Sequence, residues 1–150
     1  MSASLLENKK VRLRFNVLES FSAGMELFGH EVKALRNKQG SLEGSRVVVR
    51  AGEAFLVGAT IPPYQGANTP DTYEADRTRK LLLNKKEIAD LLDAESKKGL
   101  TVVPIEVYNN GRHVKLRLAI VSGKNKADRR EDMKKATDLR EAQREAKSKK

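Results

Sequence analysis

The chain has 150 residues and no cysteine, a length suited to one compact domain with an appendage and a composition that excludes disulfides, thiolate metal sites and a cysteine nucleophile. Its 30 Lys and Arg against 20 Asp and Glu give a formal net charge of +10, which favours polyanionic partners, because each cation laid on a phosphate releases condensed counterions. No run approaches the roughly 18 consecutive apolar residues of a membrane span, and residues 1–8 lack the basic start and apolar core of a secretion signal, so the expectation is a soluble, cytoplasmic protein with no membrane partner.

Residues 12–20 alternate loosely, with Leu13, Phe15 and Val17 on one side, and read as a strand. Gly24 is expected to interrupt it before a second short strand over residues 25–28. Residues 31–37 carry Val32, Leu35 and Arg36 at helical spacing, and Gly40 stops the run. Two β-branched runs, Val47-Val48-Val49 and Phe55-Leu56-Val57, flank Ala51-Gly52 and predict a hairpin, which Pro62-Pro63 then ends. Residues 65–75 are polar and read as a loop.

Residues 85–98 form the clearest helix of the domain. Asn84 is a good N-cap, Glu87 stands three residues on as in a capping box, and Ile88, Leu91 and Leu92 make a short apolar stripe. Glu95 continues that face, so the last turn is expected to be exposed. A second hairpin spans residues 101–121: Val103, Ile105 and Val107 alternate before Asn110-Gly111, and Val114, Leu116, Leu118 and Ile120 alternate after it, with Lys115 and Arg117 facing the other way. Six or so short strands with two or three small helices predict a mainly β fold, a closed antiparallel barrel without unpaired edges. That domain covers residues 1–121. Residues 122–150 hold only Met133 and Leu139 as large apolar side chains, too few to offset ordering entropy, and predict a basic tail that is disordered alone and helical against a partner.

Enzymatic chemistry finds little support. His30 and His113 are the two histidines, neither at metal-ligand spacing from another donor, and no phosphate-binding loop, nucleophile elbow or dinucleotide turn is present. The sequence therefore predicts no catalytic residue, no metal and no cofactor. Three basic segments point instead to nucleic acid. Lys33 and Arg36 share a helix face at i,i+3. Arg77 and Arg79 point one way along an extended chain and Lys80 the other, a pair of guanidinium forks suited to phosphate. Lys124, Lys126, Arg129, Arg130, Lys134 and Lys135 make the tail a dense cationic arm. By spacing alone, a solvated helix face explains Lys33 and Arg36 equally well, a core role is favoured for each leucine after Lys80 and a helix cap for Asn84, while the tail reads as an arm that folds on binding.

The stretches FSAGMELFGHEVKALRNKQGSLEGSRVVVRAGEAFLVGATIPPY, RTRKLLLNKKEI and GLTVVPIEVYNNGRHVKLRLAIVSGKNKADRRE resemble the tmRNA-binding family of trans-translation, often called small protein B. The resemblance covers nearly the whole chain from about Lys9 onward. It implies an oligonucleotide-binding (OB) type barrel that binds the tRNA-like domain of tmRNA by shape and backbone and delivers it to stalled ribosomes. It also implies that the tail occupies the decoding centre and the empty mRNA channel. Alanyl-tRNA synthetase and the GTP-bound elongation factor become indirect partners through the tmRNA. Matched by position, Glu31, Lys33 and Arg36 fall in the family's G-x-E-V-K-x-L-R segment. Arg77, Arg79, Lys80, Leu82 and Asn84 fall in or beside its R-x-R-K-L-L-L segment, and Asp128, Arg129 and Arg130 match a tail motif implicated on the ribosome. Three places depart from the pattern: Ser22 replaces a glutamate, Tyr73-Glu74-Ala75 replaces His-Asp-Pro and implies a looser loop, and Ala127 replaces a ring. A ribosome-assembly factor that binds ribosomal RNA directly is the competing reading.

Overall fold

The computed structural model describes residues 2–64 and 69–123. In chain order the elements are β1 (Ser2–Glu7), α1 (Val11–Arg14), β2 (Phe15–Met25), α2 (Gly29–Arg36), β3 (Arg46–Arg50), β4 (Glu53–Val57), β5 (Arg79–Leu82), α3 (Lys85–Ser96), β6 (Leu100–Asn110) and β7 (His113–Gly123). The strands pair antiparallel in one sheet of order β1-β6-β7-β2-β5-β4-β3. The main core gathers Leu35, Leu56, Leu81, Leu91, Val102, Val107, Leu116 and Leu118 from helices and strands alike.

The expected closed barrel is not what forms: β1 and β3 are both edges, and the seven-stranded sheet is open. The reason lies at α3, which packs against both β3 and β6. Its Leu91 is fully buried and its Ala94 nearly so. One turn later the Glu95 carboxylate accepts the Val49 N–H of β3 at 2.8 Å. In the two-residue hairpin β3–β4 that donor points away from β4, so a helix side chain satisfies the edge where a closing strand would otherwise pair. This also corrects the expectation of an exposed last turn, because Glu95 is half-buried against the sheet.

Three further elements differ from the sequence pattern. Residues 11–14 are a helical turn, not strand, because Val11 is buried against Val103, Ala119 and Val121 on the outer face of the sheet, in a second small cluster. β2 passes through Gly24 without a break and pairs there with Leu82 and Lys115 together. A Cβ on Gly24 would stand 3.3 Å from the Leu82 side chain, so glycine permits the close approach of β5. In β6 a bulge between Pro104 and Glu106 switches faces. Val102 and Val107 consequently enter the main core, while Val103 and Ile105 join the second cluster.

Both hairpins follow turn chemistry. Ala51 and Gly52 have φ of 51° and 75°, the left-handed pair that a type I′ turn requires. The β6–β7 turn falls one residue later than the expected Asn110-Gly111: Gly111, at φ 62°, and Arg112 join the strands, and Asn110 is still paired, to His113. β7 pairs as far as Gly123, opposite Phe15, two residues past the expected domain boundary. Among the described residues no helix is long and apolar enough to cross a membrane.

Neighbouring leucines of α3 separate packing from propensity. Leu91→Ala is expected to cost about 2–5 kcal/mol, whereas Leu92→Ala, at a site 52 % exposed, stays within about 0.5 kcal/mol. Urea denaturation of the two variants measures the contrast.

Candidate nucleic-acid interface

Helix α2 begins with Gly29, which puts Glu31 at its third position. There the carboxylate turns back to accept the Phe28 N–H at 2.8 Å, the reciprocal half of a capping box. Two residues of β5 and its approach, Arg77 and Arg79, project to the same side of the extended chain. Both reach Glu31. Arg77 grips both carboxylate oxygens, its Nε lying 3.0 Å from Oε2 and its Nη2 bonded to Oε1. Arg79 donates to Oε2 from Nε at 3.1 Å and from Nη2 at 2.8 Å. Its remaining donors go to the carbonyls of Ala59 (2.7 Å) and Ala75 (2.8 Å).

Glu31 and Arg79 have no exposed surface. Burial pushes the Glu31 carboxyl up, but the hydrogen bonds from Arg77, the Phe28 N–H and Arg79 outweigh it and hold the group at about 2. The carboxylate is therefore ionised at neutral pH and faces two guanidinium groups, which leaves one positive charge in excess. That excess lies with Arg77, whose side chain is 24 % exposed and whose guanidinium sits 4.1 Å from the Phe28 ring centroid.

Tyr73 completes the arrangement. Its hydroxyl lies 2.7 Å from the Ile61 carbonyl and 3.0 Å from Glu31 Oε2, and accepts from Arg79 Nη2 at 3.1 Å. Burial and then the Glu31 carboxylate raise its pKa above the usual phenol value. The departure at residues 73–75 thus pins the loop to the hub rather than loosening it. The other departure within the described residues is Ser22, whose hydroxyl bonds the Tyr108 hydroxyl across the outer face of the sheet.

The remaining candidates lie around this hub. Lys33 and Arg36 are exposed on α2, and Arg36 Nη2 reaches the Arg112 carbonyl at 2.9 Å, so the β6–β7 turn stands beside the helix. Lys80 is half-exposed on the opposite side of β5 and pairs with Glu53 at 2.9 Å. Leu82 is 51 % exposed, so the core reading does not hold for it. Asn84 is exposed and caps α3, accepting the Glu87 N–H at 2.8 Å. Lys124, Lys126, Asp128, Arg129, Arg130, Lys134 and Lys135, like Ala127 and the expected order of the tail, lie outside the described residues.

Sequence reasoning overlooked Phe28, Tyr73 and Arg112 as members of this region. Phe28 stands directly before the Gly29-His30-Glu31 segment and was legible as a neighbour. The approach of Tyr73 and Arg112 depends on long-range packing. Among the described residues no group of three His, Asp or Glu could hold a metal ion.

A mainly antiparallel β domain with a buried carboxylate–diguanidinium hub and basic side chains around it is the class these features define. The SmpB protein family model matches residues 5–148, and the chain belongs to that family. It is 39 % identical to an SsrA-binding protein of Microcystis aeruginosa over 137 residues, covering 91 % of this chain and 89 % of the relative. It is 43 % identical to an SsrA-binding protein of Thermosipho africanus over 129 residues, covering 85 % and 86 % of the two chains. A solved structure described as "tmRNA-SmpB: a journey to the center of the bacterial ribosome" aligns with a TM-score of 0.69 at 38 % identity, over 83 % of this chain and 87 % of that one.

The hub makes acid sensitivity a signature. A carboxyl lowered from 4.5 to about 2 contributes about 3 kcal/mol of stability. That contribution is complete above pH 4.5 and is lost as pH falls toward 2. Glu31→Gln, which leaves buried guanidinium charge uncompensated, is expected to cost about 3–5 kcal/mol at pH 7. The gap to the unaltered protein should close between pH 4.5 and pH 2 in denaturation curves taken across that range.

Proposed function

We propose that the chain binds the tRNA-like domain of tmRNA and delivers it to stalled ribosomes for trans-translation. The observation that carries this reading is the way one buried salt-bridge hub fastens α2 to β5. Glu31 and Arg79 have no surface to offer RNA and serve as the frame. Lys33, Arg36 and Arg77 supply the cations, with Lys80 beyond them, and Leu82 and Asn84 present a small exposed rim. A folded RNA conceals most base edges, so recognition there rests on the spacing of phosphates and the shape of the surface, which a rigid cationic frame suits.

Family membership and the naming of relatives as SsrA-binding proteins support the same reading. The likeness to a solved tmRNA-SmpB structure supports the ribosome as the second partner. In this reading the tail, with Lys124, Lys126, Asp128, Arg129, Arg130, Lys134 and Lys135, meets the decoding centre and the empty mRNA channel. Alanyl-tRNA synthetase and the GTP-bound elongation factor act on the RNA and meet the protein only through it. No reaction is assigned to the protein, and its site works in a soluble, cytoplasmic setting.

The test is a titration at physiological salt with the tRNA-like domain of tmRNA, an elongator tRNA and an unrelated hairpin, using the full chain and a version ending at Gly123. Preference for the tRNA-like domain that survives truncation supports the sheet as the recognition surface. Equal binding to all three, lost with the tail, points to a nonspecific polycation and favours the ribosome-assembly alternative. Within the same assay, the double change Lys33→Ala/Arg36→Ala is expected to weaken binding. It should also reduce the salt slope by roughly 0.7–0.9 for each phosphate contact removed. An unchanged affinity and slope would take both residues out of the interface.

A further inference from the structure

Beside the hub opens a cleft of about 490 Å³ lined by Phe28, His30, Pro70, Thr72, Tyr73, Glu74 and Arg77. Its walls are mostly ring surface. Phe28 is 51 % exposed, and the His30 ring lies 5.7 Å from Phe28 and 4.6 Å from Tyr73, edge-on to the latter. The exposed Phe28 ring presents an aromatic face that a planar ligand can stack on. Arg77 covers part of it but remains partly exposed itself.

We propose that this cleft receives one unpaired nucleobase, stacked against Phe28 and the Arg77 guanidinium, with a preference for a base that carries an exocyclic amino group. The subsite rests on the RNA-binding function proposed for the chain. Charge decides between base and phosphate as the occupant. Glu74 lines the cleft and Asp71 and Asp76 are exposed on the same loop, so a phosphate would meet carboxylates. A neutral base would not, and Glu74 could accept from its amino group. Thr72 also lines the cleft and brings a hydroxyl to its edge. Flat aromatic walls, a stacking guanidinium and a few polar atoms at the edge are what a splayed-out base requires.

The position is also favourable on entropic grounds. Tyr73 and Arg77 are both held by Glu31, and the Phe28 backbone is fastened to the same carboxylate. Three walls of the cleft are therefore set before any ligand arrives. Of the lining residues, Tyr73 and Glu74 belong to this chain, since they stand where the family pattern read from the sequence has other residues.

The chain contains no tryptophan, which makes Phe28→Trp a reporter as well as a conservative variant. The full-length variant is titrated with the tRNA-like domain of tmRNA, and binding is followed independently by the anisotropy of a label on the RNA. Stacking predicts near-normal affinity and quenching of Trp emission that saturates with the anisotropy change. Phe28→Ala, whose backbone cap to Glu31 is unaffected, is expected to bind about 5- to 150-fold more weakly, with an unchanged salt slope because no phosphate contact is removed. Tight binding with unaltered emission, or a Phe28→Ala affinity equal to that of the unaltered protein, overturns the subsite while leaving RNA binding intact. Failure of the unaltered protein to bind the RNA overturns the subsite together with the reading beneath it.

Discussion

One buried carboxylate organises this protein. Glu31 gathers a backbone N–H, a phenol and two guanidinium groups in a place with no access to solvent. An isolated ion there would be expensive, and the arrangement persists because its hydrogen-bonding capacity is met from several sides. The partners come from four parts of the chain: the start of α2, the loop before β5, β5 itself and, through Arg79, the carbonyl of Ala59. Breaking the hub would free the helix from the strand. It would also remove the shared carboxylate to which the Phe28 backbone, Tyr73 and Arg77 are all bonded.

The same logic of satisfied polar groups explains the open sheet. A barrel removes edges by pairing them. Here α3 packs across the seam between β3 and β6, and Glu95 takes the outward N–H of Val49. The buried carboxylate of α2 and the edge-capping carboxylate of α3 thus play parallel parts. Each lets a helix stand where the sheet alone would leave donors unmet. The cationic surface then follows from placement rather than from number of charges. Arg36 is brought to the β6–β7 turn, and Lys80 is partly engaged by Glu53, leaving α2 and Arg77 as the cations best placed to meet an RNA backbone.

Local patterns read well where one element decides its own structure. The Ala51-Gly52 hairpin, the Asn84–Glu87 capping box and the alternation of Val114, Leu116, Leu118 and Ile120 all carry through to the fold. They fail where tertiary contacts override the pattern. Val11 draws a weakly alternating stretch into a helical turn, and Gly24 continues a strand because β5 must come close. The β6 bulge moves Val103 and Ile105 off the face that their alternation suggests. β1 has no strong signal of its own and forms because β6 offers it an edge. For the site, charge and family words located α2 and β5, but not the division of labour. Nothing in the spacing says that Arg79 is buried and Arg77 half-exposed, or that Tyr73 joins them from a loop 42 residues after Glu31 in the chain. Those facts arise only when distant segments pack.

The central claim is that the folded domain meets the tRNA-like domain of tmRNA through the surface framed by Glu31. Hydroxyl-radical footprinting of the full chain with and without the tRNA-like domain of tmRNA tests it with internal controls of matched exposure. Phe28 and Leu82 are each 51 % exposed at the hub and beside the end of β2, whereas Leu13 and Leu18, at 49 % and 57 %, lie near its beginning. The account predicts that bound RNA protects Phe28 and Leu82 from oxidation and leaves Leu13 and Leu18 reactive. Protection of Leu13 and Leu18 with Phe28 and Leu82 unchanged would contradict it.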